Sequence, residues 1–249
     1  MVLDATLSNR FPLRRLAFGA IVVDAAMIAI RVSSYHELLA MPGSVPFIVK
    51  PFVVLVLYLA AVIWMTSQVS GNRAVALSVG TSFGVLTAAV QIVHLCIESF
   101  VTTEGSLTGI IALVFMLGTF LPWGVAGYVT GRRGAPVSSA TMACIWAAIV
   151  CMLILAGFGL ALTFASIPSA SYVSTWSEFR SSGWTDATAF GIANTFDSAY
   201  SHLLFGPIVG AITGAIGGLV GKQLPSRTRS IQVTDSAQYL RDGPHAHRE

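Results

Sequence analysis

Apolar residues run through this chain in long, nearly uncharged stretches separated by short polar links. About 20 mainly apolar residues in a helix cross the roughly 30 Å of hydrocarbon in a bilayer. Six stretches reach that length, at about 16–34, 46–66, 74–101, 107–130, 138–166 and 203–221. The pattern predicts an all-α, polytopic membrane protein with six transmembrane helices in one domain, residues 1–221. A tail, 222–249, polar and aperiodic from Pro225, is expected to be flexible. The basic start followed by an apolar run is similar to a secretory leader. However, Asp24 interrupts that run and it continues to Val32, so it is read as a retained first span.

The external segment 167–202 is the one long connection. From Thr185 it has helical periodicity, with Phe190, Ala193, Phe196, Tyr200 and Leu203 on one side. Asn194, Asp197, Ser198 and Ser201 fall on another, and Thr185 or Asp186 suits an N-cap. This predicts an interfacial amphipathic helix before the last span, with Trp176, Phe179 and Trp184 at headgroup level.

Charge sets the orientation. Eleven of the fourteen Lys and Arg fall on one side of a six-span chain: Arg10, Arg14, Arg15, Arg73, Arg132, Arg133, Lys222, Arg227, Arg229, Arg241 and Arg248. The other side takes Arg180, with Arg31 and Lys50 near span ends, and Glu37, Glu104, Glu178, Asp186 and Asp197. Basic links stay in the cytoplasm, so both termini are predicted inside, in a plasma or inner membrane.

Composition agrees. Charged residues are 10% of the chain and hydrophobic residues 55%, against roughly 25% charged in an ordinary soluble domain. That excludes a soluble globule, a disordered chain and a coiled coil. Cys96, Cys144 and Cys151 lie in apolar stretches without Cys-x-x-Cys spacing, and read as small packing residues. Lipid is the expected surrounding, and nucleic acid is not an expected partner, because the basic residues are spread over separate links.

Within the spans, Gly206, Gly210, Gly214 and Gly218 recur every four residues, with Gly217 and Gly221 beside them. Such a stripe lets two backbones approach closely. It serves a contact with a neighbouring span, a homo-oligomer interface, a pore-lining face or a membrane-complex partner. Pro207 suits a helix start, and Pro122, four residues after Gly118, predicts a bend in span four.

Span three is the most polar. Gly80, Gly84, Thr87, Gln91, His94 and Glu98 form one stripe, and ionisable groups in a span usually face the bundle interior or water. Span one adds Asp24 near mid-depth and Arg31 further out. Glu98 is the expected partner of Arg31, and Thr87 or Gln91 of Asp24, if it does not face a watery cavity. Asp24, Arg31, Gln91, His94 and Glu98 are thus the candidate ligand or ion pathway. His36, His94 and His202 all fall on the external side, each near a carboxylate in sequence: Glu37, Glu98 and Asp197. Imidazole with carboxylate is a transition-metal ligand set, so an outer-face metal or proton-relay site is a second candidate, with Glu98 or Asp197 assisting.

Nucleotide-binding loops and HExxH are missing, and the Ser198–His202 spacing only echoes a serine-hydrolase pair. No catalytic residue is assigned. Three functions remain: a small permease or channel-like protein, or membrane subunit of a larger complex; a structural or assembly subunit; and a metal- or haem-dependent membrane enzyme subunit.

Overall fold

The computed structural model describes residues 10–67, 71–100, 106–165 and 173–223, without the side chains of 10–12, 98–100, 106–109, 112, 163 and 165. Every regular element among them is a helix: α1 (Arg10–Ser34), α2 (Glu37–Ala40), α3 (Ser44–Ser67), α4 (Asn72–Phe100), α5 (Ser106–Arg132), α6 (Val137–Ala165), α7 (Ser177–Ser182) and α8 (Ala187–Gln223). Six of these, α1, α3, α4, α5, α6 and α8, are long and apolar enough to cross a membrane. Each of the six apolar stretches falls on one of them. The tail from residue 224 lies outside the described residues.

The last span departs from expectation. The helix predicted from Thr185 is not separate from it: residues 187–223 form one helix of 37 residues, about 55 Å long at 1.5 Å per residue. Pro207 lies inside this helix, not at its start. A proline there deprives the carbonyl four residues back of its donor, and that carbonyl belongs to Leu203. The Tyr58 hydroxyl of α3 donates to it at 2.7 Å, so the helix passes through the proline with no orphan acceptor there. Asp186 caps the helix, its Oδ1 accepting from the backbone N–H groups of Thr188 (2.8 Å) and Ala189 (3.1 Å). The side of α8 predicted to be apolar is the buried one, with Ala193, Phe196 and Leu203 inside and Asn194 and Ser198 exposed. The aromatic rings gather on Phe190: Phe179, Trp184 and Trp176 stand 5.5, 5.6 and 6.5 Å from it, and Phe47 of α3 meets Trp184 edge-on.

At the opposite end of the bundle, α5 ends in the Arg132–Arg133–Gly134 turn. Gly134 has φ +82°, a left-handed conformation that favours glycine, and the next helix starts three residues later. The bundle thus has an α7 end and a Gly134 end.

α6 is the axis of the bundle. It packs against α8, α4, α5 and α1, while α3 covers α8 and α1. It is apolar all round, as a buried helix must be, and Ala143, Cys144, Trp146, Ala147 and Ile149 are almost wholly inaccessible. Outward-facing residues of the other spans are also apolar: Val22 and Ile30 on α1, Val56 and Trp64 on α3, Leu113 and Leu121 on α5, Ile212 and Ile216 on α8. An apolar exterior on this scale suits lipid and not water.

Candidate functional site

The polar stripe of α4 divides into two uses along its length. Toward the Gly134 end it packs helices: a Cβ on Gly80 would collide with the carbonyl oxygen of Ala143, and one on Gly84 would stand 2.6 Å from that of Ala147. Trp146 Nε1 donates to Thr81 Oγ1 at 2.8 Å across the same contact. Thr87 is fully buried and donates to the Phe83 carbonyl of its own helix. Toward the α7 end the stripe turns to α5. The Gln91 amide nitrogen donates to the Phe115 carbonyl at 2.8 Å and to Thr119 Oγ1. His94 stacks on the Phe115 ring, with centroids 4.4 Å apart and 16° between planes.

Beyond these residues α4, α5, α6 and α8 separate and leave a cavity of about 520 Å³. Gln91 and His94 line it from α4, Thr119 and Trp123 from α5, Ala156 and Gly159 from α6, and Ser198 and His202 from α8. Thr195 of α8 also lines it, its hydroxyl donating to the Gly191 carbonyl of its own helix at 3.0 Å. The remaining wall is apolar, including Met116, Phe120, Leu155, Leu160, Phe205 and Val209. His202 Nδ1 lies 2.7 Å from the Ser198 carbonyl. A carbonyl only accepts, so Nδ1 carries a proton, and in the neutral ring Nε2 is then an acceptor. This is a backbone contact within one helix and not a serine-hydrolase pair. Trp123 is wholly buried, and its Nε1–H has no hydrogen-bond partner among the described residues.

The structure therefore brings together Gln91, His94 and His202, and it does not bring Asp24, Arg31 or His36 to them. Asp24 is 1% exposed in the seam between α1 and α6. Its Oδ1 lies 2.7 Å from the point a Cβ on Gly157 would occupy, and its Oδ2 has no partner among the described residues. The expected bonds from Thr87 and Gln91 are not made, because both hydroxyl and amide are engaged elsewhere. Seven residues on, Arg31 is buried with its guanidinium 5.0 Å from the centroid of Phe164, itself seven residues beyond Gly157. Parallel helices in register place each polar group of α1 against α6. The Glu98 side chain expected to pair with Arg31 lies outside the described residues.

The three-histidine metal site is not assembled. The His36 side chain is 82% exposed, 3.5 Å from Glu37, and it lines no part of the cavity. Asp197, expected to assist His202, instead forms an ion pair with Lys50 of α3 at 3.0 Å, under the Phe47 and Tyr200 rings. Among the described residues no three His, Cys, Asp or Glu side chains are grouped to hold a metal ion. Helical spacing places residues on a face, but it cannot say which faces of separate helices meet.

One further tie joins the helices at the α7 end. The Tyr35 hydroxyl, just after α1, donates to Asp186 Oδ2 at 2.6 Å. Burial raises the Asp186 carboxyl, but the bonds from Tyr35 and the Ala189 and Thr188 amides outweigh it and hold the group below its ordinary range. Tyr35 moves up, through burial first and then through its bond to that carboxylate.

Sequence reasoning missed Thr119, Trp123, Tyr58 and Lys50. Thr119 and Trp123 sit in an apolar run with no periodic signal. Tyr58 could have been sought, because Pro207 announces a carbonyl that needs a donor. Lys50 could have been matched to Asp197 as opposite charges near the same ends of their helices.

Six helices of this length and hydropathy are those of a multi-pass helical membrane protein, the class with which the fold is compatible. Compared with protein-family models, curated proteins and solved structures, the chain matches none.

Proposed function

We propose that this chain is a small permease-like protein of a plasma or inner membrane, with both termini in the cytoplasm and the α4–α5–α6–α8 cavity as its solute site. The observation that carries the reading is the convergence of Gln91, His94, Thr119 and His202 on one cavity in an otherwise apolar bundle. Structural helix contacts need no such space. Polar groups lining a cavity between spans are the ordinary signature of a solute or ion path. The bias of basic residues supports the orientation and puts the cavity in the outer half of the bundle. Glu98, one turn beyond His94 on α4, is a candidate for the same path, its side chain lying outside the described residues.

Flux into vesicles reconstituted with the protein tests this. A panel of neutral, anionic and cationic small solutes is compared in wild type, Gln91→Leu and Glu98→Ala. Solute-specific flux that falls about tenfold in Gln91→Leu, the worth of one hydrogen bond of roughly 1.4 kcal/mol, supports the reading. Flux that is no greater than in protein-free vesicles, or that ignores both substitutions, overturns it.

A further inference from the structure

Three features of the cavity fix the chemistry of what it holds. The first is charge. Among the described lining residues none is Asp, Glu, Lys or Arg, so a charged head would lose its hydration with no counter-charge to replace it. The second is a set of polar atoms that make no hydrogen bond seen among the described residues. His202 Nε2 and Gln91 Oε1 are acceptors whose neighbouring nitrogens are already committed. A hydroxyl donates to such an acceptor without carrying charge. Trp123 lines the cavity with its ring, while its Nε1–H, without a partner among the described residues, is closed off from the open space.

The third is the route in. Toward the Gly134 end α5 and α8 touch backbone to backbone. Toward the α7 end they part, and the lining residues Met116 of α5 and Phe205 of α8 are 46% and 59% exposed. The cavity wall thus continues onto the apolar outer surface between these two helices. A molecule with a hydrocarbon body can pass that way without crossing a polar barrier.

We infer that the cavity binds an uncharged amphiphile, a hydrocarbon body with a hydroxyl head, admitted sideways from the lipid between α5 and α8. This rests on the cavity being the solute site and names the class of solute. The head lies between Gln91 and His202, and the body lies along the Trp123 ring, Phe120, Leu155 and Phe205. The site is also testable without disturbing the fold. Gly159 lines the cavity, and a Cβ added there meets nothing within 4 Å, so Gly159→Leu fills the space from a position that tolerates the substitution.

The experiment uses the purified full-length protein in lipid nanodiscs and a dodecanol brominated on its chain, which quenches indole fluorescence on contact. Brominated dodecanoate and a brominated dodecyl-trimethylammonium are the charged comparisons. The chain has five tryptophans, so the quantity read is the quenching lost on Trp123→Phe. The expected result is saturable quenching of Trp123 by the alcohol, its apparent affinity about tenfold weaker in Gln91→Leu and lost in Gly159→Leu. The charged analogues give only the non-saturating quenching of lipid-facing rings such as Trp64. Quenching by the alcohol that does not saturate, that survives Trp123→Phe unchanged, or that the charged analogues match overturns the inference. If the alcohol does not bind while Gln91-dependent flux of a polar solute persists, the solute class is wrong and the permease reading stands. If both are absent, both fall.

Discussion

The same three helices, α5, α6 and α8, meet in opposite ways at the two ends of the bundle. Toward the Gly134 end glycines bring backbones into contact. A Cβ on Gly214 would stand 2.7 Å from that of Cys144, and one on Gly218 would stand 2.6 Å from that of Ala140. Gly217 and Gly221 press in the same way on the Gly124 and Tyr128 carbonyls of α5, while Gly127 and Gly131 press back on Gly214 and Gly218. The stripe predicted on the last span is therefore used on two neighbours at once, within one chain. Toward the α7 end, from about Gly206 outward, larger side chains hold the helices apart and the cavity opens. Small residues close a helix pair because dispersion contacts grow as backbones approach. Space for a solute appears where that closeness stops. A wedge closed at one end and open at the other is thus written in the placing of glycine.

The comparison is broken most severely by enlarging a glycine at the closed end. Gly217→Leu is expected to cost about 3 kcal/mol or more, because the obstacle is backbone. Gly159→Leu, on the cavity wall, is expected to cost less than about 1 kcal/mol. Thermal unfolding of the two variants in the same detergent checks the contrast, and equal losses would refute the wedge. Next in size is Gly157→Ala, on the face of α6 turned away from the cavity. The added methyl meets the Asp24 carboxyl, and about 1–3 kcal/mol is expected. Asp24→Ala in the same chain should restore most of it, since the two residues touch and their effects cannot add. Simple additivity of the two losses would show that the seam is not closed by that contact.

Tyr58 marks the level where the wedge begins to open. Tyr58→Phe strands the Leu203 carbonyl, at an expected cost of about 1–2 kcal/mol. In a Pro207→Ala background the restored N–H satisfies that carbonyl, and the same substitution should cost clearly less. An equal cost in both backgrounds, measured by unfolding midpoint, would remove this account of how α8 passes its proline.

The smallest effect belongs to the outermost tie. The Asp186 carboxyl is held low in the folded chain, so its contribution is fully present above the ordinary carboxylate pKa of about 4. It is lost as pH falls through the lower folded value. For so open a group the contribution is less than about 1 kcal/mol. Wild type should therefore exceed Tyr35→Phe in thermal midpoint near neutral pH and lose part of that lead in acid. A lead that is constant from neutral pH to pH 3 would show that the Tyr35 bond does not depend on the charge of Asp186.

The number and position of the spans could be read in advance because crossing a bilayer is a local demand: a helix of sufficient apolar length meets it alone. The apolar side of the segment before the last span was legible for the same reason. The division of that segment from the last span was misread, because the donor that carries the helix past Pro207 sits on α3, nearly 150 residues earlier. Asp24, Arg31, His94 and His202 were all conspicuous as polar residues in apolar runs. Only their helices' contacts separate the two that line a cavity from the two sealed against α6. Hydropathy and spacing act along one helix and are additive over its residues. Which faces meet, and where they leave room, depends on the shapes of several helices at once.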